Sequence, residues 1–406
     1  MRSAVSFLGP ATILLLLGCA DDSGRPSTAV DPGSADVIQV ALSPVTVTLD
    51  APLFRVGGSA ASGLTAFGRV RGGVIDSGER LWIGDDQASH IVRLDRSGDG
   101  VDAVGRRGQG PGEFLQVEIM GWSAGRVATY DVEQRRVVLI DPATDETTTH
   151  PLYSPQWDDR PRMMMGIGSR GEHVFIPLEG FVGFELYETP AAPGWYRSAE
   201  QRVVVQRSED DSDVVLSGAP YAEWYMDGDE QLAHPLRTVT QARVHADTVA
   251  FVGTLAGDVF VARLDGTYRR AFNMSEEPGA ALGADALERA QDLLEAIPPE
   301  RRRYYVTLEQ VREHGLPERR PYFDRVVIST DGVMWLRRAQ DVGGPVRRWD
   351  VITLRGTHLG TASLPRGEDV LAASPTRVAT VSRDEYEAQI VSLHEHPFRR
   401  VAESGR

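Results

Sequence analysis

The sequence predicts an all-β chain built as a six-bladed β-propeller, with a short helical insertion between blades four and five. Three observations carry this expectation. A strand-pair unit recurs six times, its short apolar strands are divided by Gly- and Asp-containing turns, and the copies are irregularly spaced. Sandwiches and barrels also consist of short strands, but propeller blades tolerate large insertions between repeats.

The units can be taken in order. The clearest is residues 73–85 with 90–95, closed by a Ser97-Gly98 turn. The next pair 125–131 with 137–141, a weaker copy 173–176 with 202–205, and then 247–252 with 259–266. The fifth pairs 326–336 with 349–354, and the last 377–381 with 389–393. In several copies the second strand ends in Asp. Extended stretches near 45–49 and 54–56 precede the first unit and are expected to pair with the last blade, so that no long sheet edge stays exposed. Between units four and five, Leu287, Ala290, Leu293, Leu294 and Ile297 recur at helical spacing until Pro298-Pro299. A second helix is expected at Thr307, because Thr307-x-x-Gln310 has capping-box form. The insertion, about 284–315, packs as a decoration or covers one face as a lid.

Leu81-Trp82-Ile83-Gly84-Asp85, followed by Gly108-Gln109-Gly110-Pro111-Gly112-Glu113-Phe114, resembles six-bladed β-propeller lipoproteins related to the NHL-repeat and TolB-like propellers. Tyr322-Phe323 before the fifth unit resembles them too. The likeness is strongest in blades one and five, and blades three and four depart from it. It implies the fold and little about activity.

The chain has 406 residues and a formal charge of −15, from 43 basic and 58 acidic residues. It contains no lysine, so every basic side chain is Arg. Such an acidic protein is not expected to bind nucleic acid or an anionic membrane surface. Without lysine, Schiff-base chemistry and a P-loop are excluded.

The single cysteine, Cys19, excludes an internal disulfide, and its position is informative. Arg2 and an apolar run from about Ala4 to Leu17 read as an export signal, too short to span a membrane. Leu16-Leu17-Gly18-Cys19 resembles the bacterial lipobox, which implies cleavage before Cys19 and lipidation of its thiol. Residues 1–18 are thus expected to be a signal peptide and 19–36 a polar tether reaching roughly 20–25 Å, with the propeller at 37–400. Similarity to the enterobacterial sorting signal, in which Asp after the cysteine implies inner-membrane retention, makes Ala20 favour the outer membrane.

Chemical motifs are few. Gly121-Trp122-Ser123-Ala124-Gly125 fits Gly-x-Ser-x-Gly, but a strand follows it where a nucleophile elbow needs a helix. Gly105 to Gly112 offers backbone N–H groups, yet precedes no helix and reads more simply as a tight turn. Asp95, Ser97, Asp99 and Gly100 begin like a calcium loop whose twelfth position is Arg106 rather than Glu. Nine histidines form no metal-ligand pair of HExxH type, and Asn273 is the only asparagine. No catalytic residue, metal site or cofactor is therefore predicted. Tyr221, Trp224 and Tyr225 lie in an irregular stretch between blades three and four and are the candidate binding residues, against the competing reading of core packing under an insertion. The expected function is a monomeric, lipid-anchored binding module for a protein, peptide or glycan of the cell envelope. The alternative is a metal-dependent hydrolase or lyase at the propeller axis.

Overall fold

The computed structural model describes residues 37–398 except 152–161, 178–192, 198–200, 209–210, 220–222, 228–229, 233–240, 253–257, 267–268, 275–279, 282–285, 296, 298, 317–318, 321 and 342–344. Six antiparallel sheets make a ring of six blades. Their first strands are Val70–Ile75, Val117–Ser123, Arg162–Ile167, Gln241–His245, Phe323–Ile328 and Asp369–Ala373. Each touches the next, and the sixth touches the first, so these strands line the axis and the ring is closed.

The strand composition follows from this geometry. Each blade is sandwiched between two others, so both faces of its central strands are buried, and a continuous apolar run replaces simple alternation. Leu81 and Ile83 pack against Leu371 and Leu393 of blade six, while Trp82 between them faces Val127 and Ile140 of blade two. Each of the six interfaces between consecutive blades holds such a cluster. At about 25 cal/mol per Å² of buried apolar surface, these interfaces dominate stability.

All six sequence units contain the second and third strands of a blade, and those starting at 73 and 326 also take in the end of the innermost strand. The turn-rich Asp positions have a definite role. Asp85, ending the second strand of blade one, accepts N–H donation from Gly68 at 2.8 Å and Arg69 at 3.1 Å. Asp131 does the same in blade two for Leu115 at 2.9 Å and Gln116 at 3.3 Å. Each carboxylate thus holds the chain as it enters the innermost strand of its own blade. The innermost strands of blades one and two approach closely at Gly72, where a Cβ would lie 2.1 Å from the Ile119 carbonyl oxygen, and its φ of +75° also demands glycine.

The N-terminal closure differs in part from expectation. Phe54–Gly57 does complete the last blade, pairing antiparallel with Gln389–Glu395. Thr46–Thr48, however, adds in parallel to the outer strand of blade five, and Val37–Gln39 adds in parallel to that of blade four. One extended segment therefore straps three successive blades. It can do so because each outermost strand offers a free edge, and successive edges lie about one short strand and loop apart.

The helical insertion lies between blades four and five as predicted. One helix spans Ala286–Glu295 and a second Leu308–His314, with Thr307 and Gln310 forming the reciprocal capping box. The buried face of the first helix is largely the expected one. Ala290, Leu293 and Leu294 pack inward, joined by Ala286, whereas Leu287 is 42% exposed.

Candidate functional site

A propeller strand runs from one face of the ring to the other, so the connection between blades and the turn after the second strand emerge on the same face. Three long excursions in this chain are of those two kinds. They carry Gly194–Arg197 within blade three, Glu223–Asp227 with Glu230–Leu232 between blades three and four, and the two helices between blades four and five. The first three strands form one small sheet. Tyr225 and Leu232 pack with Val306 and Val311, flanked by Trp195, Leu294 and Leu316. Segments remote in sequence thus build one α/β cap on a single face of the ring.

This arrangement corrects one candidate. Tyr225 is 1% exposed, in edge contact with Trp195 at 5.4 Å between ring centres and tilted against His314 at 5.2 Å. It holds the cap together and presents no surface to a partner, because an aromatic ring between a short sheet and a helix is the cap's main apolar mass. Trp224 lies on the same strand, but its side chain is outside the described residues, as are Tyr221 and Cys19.

The same face carries a pocket of about 340 Å³ at the mouth of the axis. Its wall combines the starts of innermost strands with connections between them. Arg71, Gln116, Glu118, Gln241 and Arg243 supply polar groups, and Val117, Met164 and Met165 supply apolar ones. Asp86 is fully engaged there: it pairs with Arg71 at 3.2 Å and accepts from the Gln116 amide at 3.3 Å. Others are not. The Gln241 carbonyl oxygen is buried without a hydrogen-bond partner. Arg243 donates to the Ala242 carbonyl at 2.9 Å and makes no ion pair among the described residues. Burial lowers its pKa, and Glu118, across the pocket, acts in the opposite direction. A buried polar group without a partner costs roughly 1–3 kcal/mol, which a ligand can recover.

Arg243 also belongs to the wall of a second, smaller cavity of about 50 Å³ deeper on the axis. Arg325 and His245 line it with the backbone of Gly72, Gly73 and Gly121. Beside it stands an ion-pair network. Arg337 bonds Asp324 at 2.7 and 3.0 Å and Asp369 at 2.8 Å, while Arg347 and Arg325 reach Asp369 at 2.5 and 3.5 Å. Burial alone would raise the Asp369 carboxyl, but Arg337, Arg325 and Arg347 bring it down to about 2.

The other motifs resolve structurally. Ser123 closes a hairpin turn with Ala124 and Gly125 at positive φ, and its hydroxyl donates to the Gly168 carbonyl at 2.9 Å. The glycine loop is occupied by its own carboxylate: Gly110 N–H donates to Glu113 at 2.8 Å, and Arg136 donates to the Gly110 carbonyl at 3.0 Å. Asp95 accepts from Ser97 and Gly98 in a tight turn. Asn273 bonds Asp258 on the rim of blade four, away from the axis. His394 and His396 are buried, and burial lowers His396 to about 4. Among the described residues no group of three His, Cys, Asp or Glu could hold a metal.

No protein-family model matches the chain, and no curated protein does. Solved structures share its outline at low identity. A protein from Bacteroides fragilis NCTC 9343, thought to be exported, is 10% identical, with a TM-score of 0.43 over 89% of this chain and 100% of that one. Virginiamycin B lyase from Staphylococcus aureus is 11% identical, at 0.34 over 80% and 94%. The calcium-binding protein regucalcin from Agrobacterium tumefaciens is 12% identical, at 0.37 over 89% and 96%. Likeness of this degree carries no argument about function.

The pocket residues were not legible beforehand. Arg71, Glu118, Gln241 and Arg243 fall within ordinary strand patterns, and their common feature is position: all lie on innermost strands, the first three at or next to the strand start and Arg243 at mid-strand. A polar residue opening the first strand of a repeat was the available signal.

Proposed function

We propose that this chain is a lipid-anchored, extracytoplasmic binding module that receives a protein, peptide or glycan on the capped face of its propeller. The observation that carries the reading is the pocket at the axial mouth, where the buried Gln241 carbonyl oxygen has no hydrogen-bond partner and Arg243 has no ion pair among the described residues. A wall of mixed polar and apolar groups suits a ligand that is itself amphipathic. The Leu16-Leu17-Gly18-Cys19 segment supports the anchor, the polar residues that follow it support a tether, and Ala20 supports the outer membrane. The module acts as a monomer, and the membrane itself is not its ligand.

Full-length protein solubilised from the envelope in detergent is expected to co-purify with one molecule in stoichiometric amount. The double variant Glu118→Ala/Gln241→Ala is expected to lose it while melting within a few degrees of wild type. Retention of the same molecule by the variant, or no bound molecule by mass spectrometry, overturns the reading. Separately, radiolabelled palmitate is expected to enter wild type and not Cys19→Ser, which leaves the membrane fraction. Equal labelling of the two removes the anchor.

A further inference from the structure

Arg243 and Arg325 come from adjacent blades and line the same small cavity on the axis, together with His245. The described residues around them neutralise this charge only in part: Glu118, across the outer pocket, acts on Arg243 without pairing with it. Arg325 reaches the Asp369 carboxylate at 3.5 Å, but Arg337 and Arg347 bind that carboxylate more closely. Arg337 also takes both oxygens of Asp324, so three guanidiniums share two carboxylates. Arg243 makes no ion pair, and its repulsion, with that of Arg337, adds to the burial that weakens the charged form of Arg325. In a chain of formal charge −15, a local excess of half-buried cation is a specific arrangement. It is also costly, because a charge taken out of water and incompletely paired is penalised.

We infer that Arg243 and Arg325 together hold one oxyanionic group, a carboxylate or a phosphate, at the propeller axis. This rests on the capped face being the ligand-binding face, since Arg243 walls both the outer pocket and the inner cavity. The planar guanidinium fork matches both anions, and charge-assisted bonds of this type are the strong ones. The cavity, about 50 Å³, has room for a few waters and so for one anionic group, but not for a sugar ring or a peptide residue. Only the charged tip of a ligand enters it.

The test is thermal unfolding of the full-length, detergent-solubilised protein at fixed ionic strength, with chloride replaced stepwise by acetate or by inorganic phosphate. The wild-type midpoint is expected to rise and saturate with at least one of them. In Arg243→Met the rise is expected to vanish or to need at least tenfold more anion, while the chloride baseline is equal to or above that of wild type, because an unpaired charge has been removed. Arg325→Met tests the same site from the other blade. A merely structural Arg243 gives the opposite signature, with a lower midpoint in every salt. That outcome, or a wild-type midpoint indifferent to anion identity, overturns the inference.

Two further probes distinguish the source of the anion. N-acetyl-Ala-Ala binding at least tenfold more tightly than acetate, with no binding of its C-terminal amide, places the carboxylate on a longer ligand. Acetate or phosphate binding as tightly as the peptide identifies a free anion. If a molecule co-purifies and depends on Glu118 and Gln241 but no anion acts through Arg243, the axial site alone fails. If the anion acts and nothing co-purifies, the binding-module reading alone fails.

Discussion

Asp131→Ala is expected to destabilise the propeller by about 3–5 kcal/mol, measured by chemical denaturation. The carboxylate is completely buried and accepts from the backbone N–H groups of Leu115, Gln116 and Gln134 and from the Gln134 side chain. Alanine leaves these donors without an acceptor, and each buried orphan costs roughly 1–3 kcal/mol, partly relieved by entering water. Asp131→Asn keeps one acceptor oxygen and is expected to recover about half of the loss. The variant also frees the chain entering the innermost strand of blade two, which carries Glu118 into the pocket, so ligand retention should fall with stability. A loss below about 1 kcal/mol would show that the repeated Asp is not what fixes strand entry.

Internal deletion of residues 45–57, keeping the signal, Cys19 and the tether, is expected to abolish cooperative unfolding and to send the protein into aggregates on size-exclusion chromatography. Phe54–Gly57 is the outer strand of blade six, and without it Gln389–Glu395 becomes an open edge. Unpaired edges recruit other chains. Phe54 also leaves the cluster between blades six and one, where its ring packs over Gly98. Deletion of 37–44 removes the parallel strand on blade four, the Val40 side chain and the Ser43 N–H bond to the His358 ring. It should leave a soluble monomer with one transition, lowered by a few degrees. Similar behaviour of the two deletions would mean that the strap, and not the closure of blade six, sustains the ring.

The ring was legible because its strands must bury both faces. That requirement writes apolar runs such as 81–83 and 259–262 into the chain at every blade, whatever the intervening loops. Helix capping at Thr307 was legible for a similar reason, since it is a local hydrogen-bond exchange. The pocket was not, because Arg71, Glu118, Gln241 and Arg243 meet only when blades one, two and four converge on the axis. Tyr225 shows the reverse problem. An aromatic in an irregular stretch looks like an exposed anchor until three distant segments cover it. The stretch at 45–49 was legible as extended but its parallel partner on blade five was not, and 37–39 was missed, because three-residue segments have too few side chains to show a period or fix a partner.

The closure also governs when the ring can form. Phe54 faces Leu393 in the finished sheet, and no shorter loop brings that strand to its partner. Contacts between ends this far apart form slowly, since the entropy of closing the loop is lost before any contact repays it. In a chain delivered N-terminus first, the strand that seals the structure is among the earliest to emerge, and it waits for nearly all the rest. Until then five blades can stack while the sixth keeps a raw edge, so the arrival of residues 389–395 sets the pace at which the protein becomes safe from its neighbours.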